Sequence, residues 1–261
     1  MSNDLLLPIS GLLVGMLIGL TGIGGGVLMT PLLLMLGLPP TGAVGTDLAY
    51  SALTKLAGTW QHGRQGTIEW RVVRALAIGS VPATVVAVGI LSRLHTANTS
   101  AEVEHRLKQL IGVMLVIAAV MMIRRVLVST KTVTASAEFD LTSMPTGKVV
   151  AIGVFGGFLV GLTSIGSGSL IIALLVMVVA LAPAKMVGTD IAHAFVLVTA
   201  GALAHQFFMQ DVQIGIAGRL LIGSIPGIAL GSTLAPRLPE RALRILLAII
   251  LVLVSLKLIL S

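Results

Sequence analysis

The sequence predicts an all-α polytopic membrane protein built from two homologous halves, and three observations predict it. GLLVGMLIGLTGIGGG at 11–26 returns as GVFGGFLVGLTSIGSG at 153–168, and GTDLAY at 45–50 returns as GTDIAH at 188–193. Long tracts are uncharged: no acidic or basic residue stands between Asp4 and Asp47, or between Lys148 and Lys185. Finally, each half interrupts its first apolar tract with a run of small residues, TGIGGG at 21–26 and TSIGSG at 163–168.

Of 261 residues, 56% are hydrophobic and 10% charged, and the mean hydropathy is +1.06. Soluble domains carry about 25% charge. Each charge placed in hydrocarbon costs about 2.5–3.5 kcal/mol on insertion scales, so uncharged tracts longer than the roughly 20 residues of a span belong in lipid. The amino terminus contains Asp4, lacks a basic region and has no cleavage region, so it is expected to stay in the mature chain. The absence of cysteine excludes disulfides and thiolate metal sites. A net charge of +7 comes from basic residues lying mostly between hydrophobic segments, which reads as a topology signal and not as a nucleic-acid surface.

The first repeat, 1–127, holds apolar segments at 8–20 and 27–36 on either side of its break, then spans at 43–62, 71–91 and 107–127. A polar connector, 128–146, follows. The second repeat, 147–261, holds segments at 147–162 and 169–181, then spans at 186–207, 216–235 and 242–260. The offset between counterparts is 142 for Gly11, Gly15 and Gly19 against Gly153, Gly157 and Gly161. It grows to 143 for Gly45/Gly188, Asp47/Asp190 and His62/His205, and to 144 for Gly79 to Pro82 against Gly223 to Pro226. Single-residue gaps in loops account for that drift. Internal repeats of this kind are a common construction in secondary transporters.

Each glycine-broken segment reads either as a discontinuous crossing helix or as a re-entrant hairpin. Hairpins make the halves inverted repeats; full crossings make them parallel. With hairpins, and with Lys55 set aside within a span, the basic residues divide eleven against five between the two sides. With full crossings the best division is nine against seven. The positive-inside bias therefore favours inverted repeats with an external amino terminus. The glycines at four-residue spacing form small faces that let helices approach closely in lipid. Seams within one chain and between copies look alike in sequence, so a homo-oligomer stays open.

The breaks point to chemistry. Interrupted backbone inside hydrocarbon needs water, a cavity or a ligand to satisfy it. The helices restarting near Val27 and Ser169 direct free N–H groups and partial positive charge toward the breaks, and nearby hydroxyls add donors. The candidate substrate-binding residues are Thr21, Gly22, Gly24, Gly25 and Gly26 with Thr163, Ser164, Gly166, Ser167, Gly168 and Ser169. The plain alternative is a pair of glycine-packed kinks without a ligand. No GxxxxGK[ST] phosphate loop is present.

The repeated GLTGIGGG and GLTSIGSG, each followed by PxxxxGTD at 40–47 and 183–190, resembles the sulfite exporter TauE/SafE family over nearly the whole chain. The resemblance implies secondary transport, outward, of sulfur-containing anions such as sulfite, sulfonates or thiosulfate across a bacterial cytoplasmic membrane. It implies neither enzyme chemistry nor a cofactor. Its pattern carries over to 21–26, 45–47, Gly166, Gly168 and 188–190, whereas Gly22, Gly25 and Tyr50 become Ser164, Ser167 and His193 in the second half.

The coupling or gating candidates are Thr46, Asp47, Thr189, Asp190, His62 and His205. Carboxylates within a membrane are functional candidates by default. The competing reading for each Thr-Asp pair is a helix N-cap. Both aspartates are expected outside the direct shell of the anion, because a bare carboxylate repels it, and protons are the expected coupling ion. His62 and His205 lack a local ligand cluster, so no metal site is expected. Lys55, whose counterpart is Val198, either attracts the anion or snorkels to water. Trp60 and Trp70 read as interfacial anchors.

Overall fold

The computed structural model describes residues 3–21, 25–97, 100–127, 144–235 and 240–260. The described residues form ten helices and no strand: α1 (Asn3–Thr21), α2 (Gly26–Met35), α3 (Pro40–Arg64), α4 (Trp70–Ala97), α5 (Ser100–Leu127), α6 (Thr146–Thr163), α7 (Ser169–Leu175), α8 (Pro183–Phe208), α9 (Ile214–Leu234) and α10 (Glu240–Leu260). Of the connector, 128–143 lies outside the described residues. Helix is the form in which a chain in lipid satisfies its own backbone.

Several boundaries differ from the sequence expectation for local reasons. α1 runs through Pro8 and has 19 residues, about 28 Å at 1.5 Å per residue, so it starts five residues before the expected segment. α7 stops at Leu175, six residues before the expected end. Its exit is a turn in which Val178 N–H donates to Leu175 O at 3.0 Å, and Pro183 then requires an extended Ala182, whose ψ is 144°. Pro40 and Pro183 open α3 and α8, where the missing N–H has no helical partner to lose.

Six of these helices are long and apolar enough to cross a membrane: α4, α5, α6, α8, α9 and the stretch Leu243–Leu260 of α10. α3, with 25 residues, is long enough but carries Asp47, Lys55, His62 and Arg64. It packs against α2, α8 and α9, which lets it carry charge away from lipid. Leu13, Ile78, Phe155, Ile222 and Leu253 stay exposed on the outer faces, as lipid contact requires.

The glycine rows lock one half into the other. A Cβ on Gly11, Gly15 or Gly19 of α1 would strike the backbone of Leu220, Ser224 or Ile228 on α9. Gly223, Gly227 and Gly231 of α9 answer against Pro8, Leu12 and Met16. The second seam mirrors the first: Gly153, Gly157 and Gly161 of α6 meet Leu76, Ser80 and Thr84 of α4. Residue numbers rise together along both seams, so α1 runs parallel to α9 and α6 parallel to α4. The two glycine faces are thus consumed inside the chain, where near-contact of backbones gains dispersion energy that lipid does not replace.

The entries of α4 and α9 are tied in the same crosswise manner. Gln213 N–H donates to Thr46 Oγ1 at 3.0 Å, and Glu69 N–H donates to Thr189 Oγ1 at 2.9 Å. Each threonine of the repeated GTD therefore caps a helix of the opposite half. α3 receives a cap from a distance as well: Thr41 N–H and Oγ1–H both donate to the Glu104 carboxylate, at 3.0 and 2.7 Å.

Candidate functional site

Both breaks are formed where a threonine turns back on its own helix. Thr21 Oγ1–H donates to Leu17 O at 2.6 Å, and Thr163 Oγ1–H donates to Leu159 O at 2.8 Å. A hydroxyl has one proton to donate. The expectation that Thr21 and Thr163 offer donors to an anion therefore meets a different arrangement, in which they end α1 and α6. Beyond Thr163, Ser164 takes φ 58° and Gly166 φ 108°, the left-handed backbone that redirects the chain before α7. Gly22 and Gly24 lie outside the described residues, as does the Ser169 side chain.

The two breaks touch. A Cβ on Gly26, the first residue of α2, would strike the Ser164 carbonyl and stand 3.4 Å from Asp47 Oδ2. Gly25 packs beside Tyr50, where an added Cβ would lie 3.3 Å from Cε1 and 3.6 Å from Ser51 Oγ. Ser164 and Ser167 are buried here. The Ser164 hydroxyl is turned toward the Asp47 carboxylate but makes no well-formed hydrogen bond. On the other side, a Cβ on Gly168 would stand 3.5 Å from Asp190 Oδ2.

The structure decides against the N-cap reading of the aspartates. α3 and α8 start at Pro40 and Pro183, so Asp47 and Asp190 stand two turns inside their helices and do not cap them. Their carboxylates are buried against the breaks. Asp47 is held by two hydroxyls: Thr30 of α2 donates to Oδ2 at 2.5 Å, and Ser51 to Oδ1 at 3.2 Å. Hydrogen bonds to an ionised acceptor contribute about 1.5–3 kcal/mol each. The second half has Ile172 and Ala194 at the corresponding positions, so the two acids sit in chemically different settings.

A second duplicated contact lies beside the first. His193 Nε2 and Ser80 Oγ are 2.9 Å apart across the two halves, and their counterparts Tyr50 and Ser224 face each other across them in the same way. His193, Tyr50 and both serines are buried. Lys55 is half-buried in mid-α3, well short of either helix end.

The remaining candidates do not converge on the breaks. Thr46 and Thr189 serve the crosswise caps. His62 Nδ1 pairs with Thr67 Oγ1 at 2.8 Å near the end of α3. His205, fully buried, places Nδ1 3.3 Å from both Asp211 oxygens and donates from Nε2 to Gly161 O at 3.1 Å. That last bond ties α8 to the final turn of α6 just before the second break. Among the described residues no group of three His, Asp or Glu side chains is arranged to hold a metal.

Sequence reasoning missed Thr30, Ser51, Ser80 and Ser224. Ser51 was legible, since it falls four residues after Asp47 on the same helical face. Thr30, the lone hydroxyl in GVLMTPLLLM, carried a weaker signal, and the serine pairings depend on helix packing alone.

Apolar crossing helices, a duplicated interruption and carboxylates buried beside it define the class as membrane transporter. The chain belongs to the sulfite exporter TauE/SafE family, whose profile matches residues 7–258. It is 43% identical over 249 residues to the probable membrane transporter protein YjnA of Bacillus subtilis, covering 95% of this chain and 97% of that one. It is 27% identical to YdhB of the same organism, over 89% and 90% of the two chains. A probable membrane transporter protein of Methanocaldococcus jannaschii, MJ0441, is 29% identical over 94% and 91%. No solved structure matches the chain. The protein is thus a multi-pass protein of the cytoplasmic membrane.

Proposed function

We propose that this protein is a secondary transporter, not an enzyme, that moves a small sulfur-containing oxyanion or organosulfonate out of the cell together with protons. One observation carries the reading: Gly26 of the first break abuts Ser164 of the second, with the Asp47 carboxylate beside both. The two interruptions thereby make a single polar locus inside an apolar bundle. The N–H groups at the start of α2 and the Ser164 and Ser167 hydroxyls are the donors for the anion; α7, with seven residues, adds a weaker dipole than α2. The sulfur class rests on the family.

Halves 1–127 and 147–261 act as inverted repeats in this reading. Its support is the antiparallel run of α3 against α8, where Gly45 meets His205 and Gly58 meets Ile191. An unaccompanied anion is repelled by the carboxylates at the breaks, so anion and proton bind together. Co-transport of a monoanion with a proton is electroneutral, and export then follows an internal excess of the anion. A cation-coupled importer is the second reading, favoured by the same two carboxylates.

The test is flux of sulfite in proteoliposomes under separately imposed sulfite, pH and voltage gradients. Sulfite movement that responds to the pH gradient and not to voltage is expected, and Asp47→Asn and Asp190→Asn should blunt the pH response. Movement of a metal cation with no anion flux overturns the assignment.

A further inference from the structure

The register between α3 and α8 places one lysine at the centre of the duplicated site. Three contacts fix that register: a Cβ on Gly45 would lie 3.2 Å from His205 Cβ, one on Gly201 3.1 Å from Leu48 Cδ1, and one on Gly58 3.1 Å from Ile191 Cγ2. Interpolating between them sets Leu53 opposite Val196. Leu53 and Val196 are also counterparts under the 143-residue offset of the GTD motifs. The pseudo-twofold relation of the halves is therefore centred on this point of the helix pair. Asp47 precedes Leu53 by six residues and Asp190 precedes Val196 by six, so the antiparallel run sets the two acids on opposite sides of the centre.

Lys55 stands two residues from Leu53, and its counterpart is the apolar Val198. Duplication thus left two acids and one base. The lysine makes no direct ion pair among the described residues; it stands eight residues from Asp47 along α3 and, by this register, about one helical turn from the level of Asp190 on α8. α2 brings no charged side chain, α9 brings only Arg219, and Glu104 of α5 is engaged by Thr41 at the start of α3. The ionisable groups nearest Lys55 are accordingly Asp47 on its own helix and Asp190 and the neutral His193 on α8.

We propose that Lys55 is the single cation shared by both halves, balancing Asp47 and Asp190 when the site is empty and engaging the transported anion when it is filled. The inference rests on the anion reading above and deepens it. With both carboxylates ionised, two acids and one ammonium leave one net negative charge. A monoanion arriving with one proton leaves that charge unchanged, so the low-dielectric interior sees the same total in both states. Lys55 is then released toward the anion as an aspartate takes the proton. A lysine near the pseudo-twofold centre serves either orientation of the site, which explains why one suffices.

The test is sulfite binding to the purified full-length protein in lipid nanodiscs, by calorimetry in weakly buffered solution with proton uptake followed by an indicator dye. Wild type should take up about one proton per bound monoanion, the figure that charge balance requires. Lys55→Met, in protein that still unfolds cooperatively, should weaken binding by about tenfold or more, as expected for loss of a buried charge partner. Lys55→Arg should retain binding, and Val198→Lys placed in the Lys55→Met background should restore part of it from the other half. Wild-type binding that survives Lys55→Met overturns this inference alone, and so does binding without proton uptake, which needs no variant. Failure of wild type to bind sulfite, thiosulfate or taurine overturns the functional reading and this inference with it.

Discussion

Gly79→Ala and Gly89→Ala add the same methyl group to the same helix, ten residues apart on α4, and should shift stability in opposite directions. A Cβ on Gly89 meets nothing within 4 Å. Replacing that glycine removes backbone freedom from the unfolded chain and is expected to stabilise by up to about 1 kcal/mol. At Gly79 the same gain is opposed by α6: the new Cβ would strike Val150 O and lie 2.9 Å from Val154 N and 3.1 Å from Val150 C. Such contacts need roughly 3.2–3.4 Å or more, so the helices must part by about an ångström to clear Val150 O, and overpacking of this kind costs about 1–3 kcal/mol. The difference between the two variants is that cost, because the propensity gain is common to both. At about 2–4 °C per kcal/mol for a chain of this size, Gly79→Ala should melt about 2–12 °C below Gly89→Ala. Thermal unfolding in detergent, followed by far-ultraviolet circular dichroism, reads the difference. Gly223→Ala and Gly218→Ala on α9 form the matching pair, since Gly223 faces Pro8 and Gly218 faces open space. Equal melting temperatures within both pairs would refute the interlocked seams.

Thr30→Val keeps the side-chain shape while removing the donor to Asp47, and should destabilise by about 1.5–3 kcal/mol in unfolding assays, with Thr30→Ser close to wild type. An unchanged Thr30→Val protein would mean that the carboxylate does not depend on this bond. The absence of native cysteine allows single-cysteine labels at Gln65, between α3 and α4, and at Gln210, between α8 and α9. An impermeant maleimide should reach Gln210→Cys from outside and Gln65→Cys only from the cytoplasmic face; labelling of both from one side would dismiss the inverted arrangement.

Local and periodic features were legible from the chain alone because they are written in neighbouring residues. Charge-free tracts marked the membrane segments, Pro40 and Pro183 marked helix starts, and TGIGGG and TSIGSG marked where helix fails. The small faces of Gly11, Gly15 and Gly19 announced close packing without naming a partner, since any helix in lipid can accept such a face. Helix ends were less legible: α1 continued through Pro8 and α7 stopped at Leu175, where the turn before Pro183 outweighed apolar composition.

What tertiary structure decided was pairing across more than a hundred residues. Only packing sets α1 on α9 and α6 on α4, turning two homologous halves into one interlocked bundle. The same exchange gives Thr46 and Thr189 to helices of the opposite half, a role that a motif reading assigns to their own helices. It also brings Asp47 against Gly26 and Ser164, and puts Lys55 near the centre between two duplicated acids. Hydropathy and glycine spacing are one-dimensional signals, and they determine which segments enter the membrane and where they break. Which buried polar groups meet there follows from helix register, because a charge in hydrocarbon is stable only beside the partners that folding delivers to it.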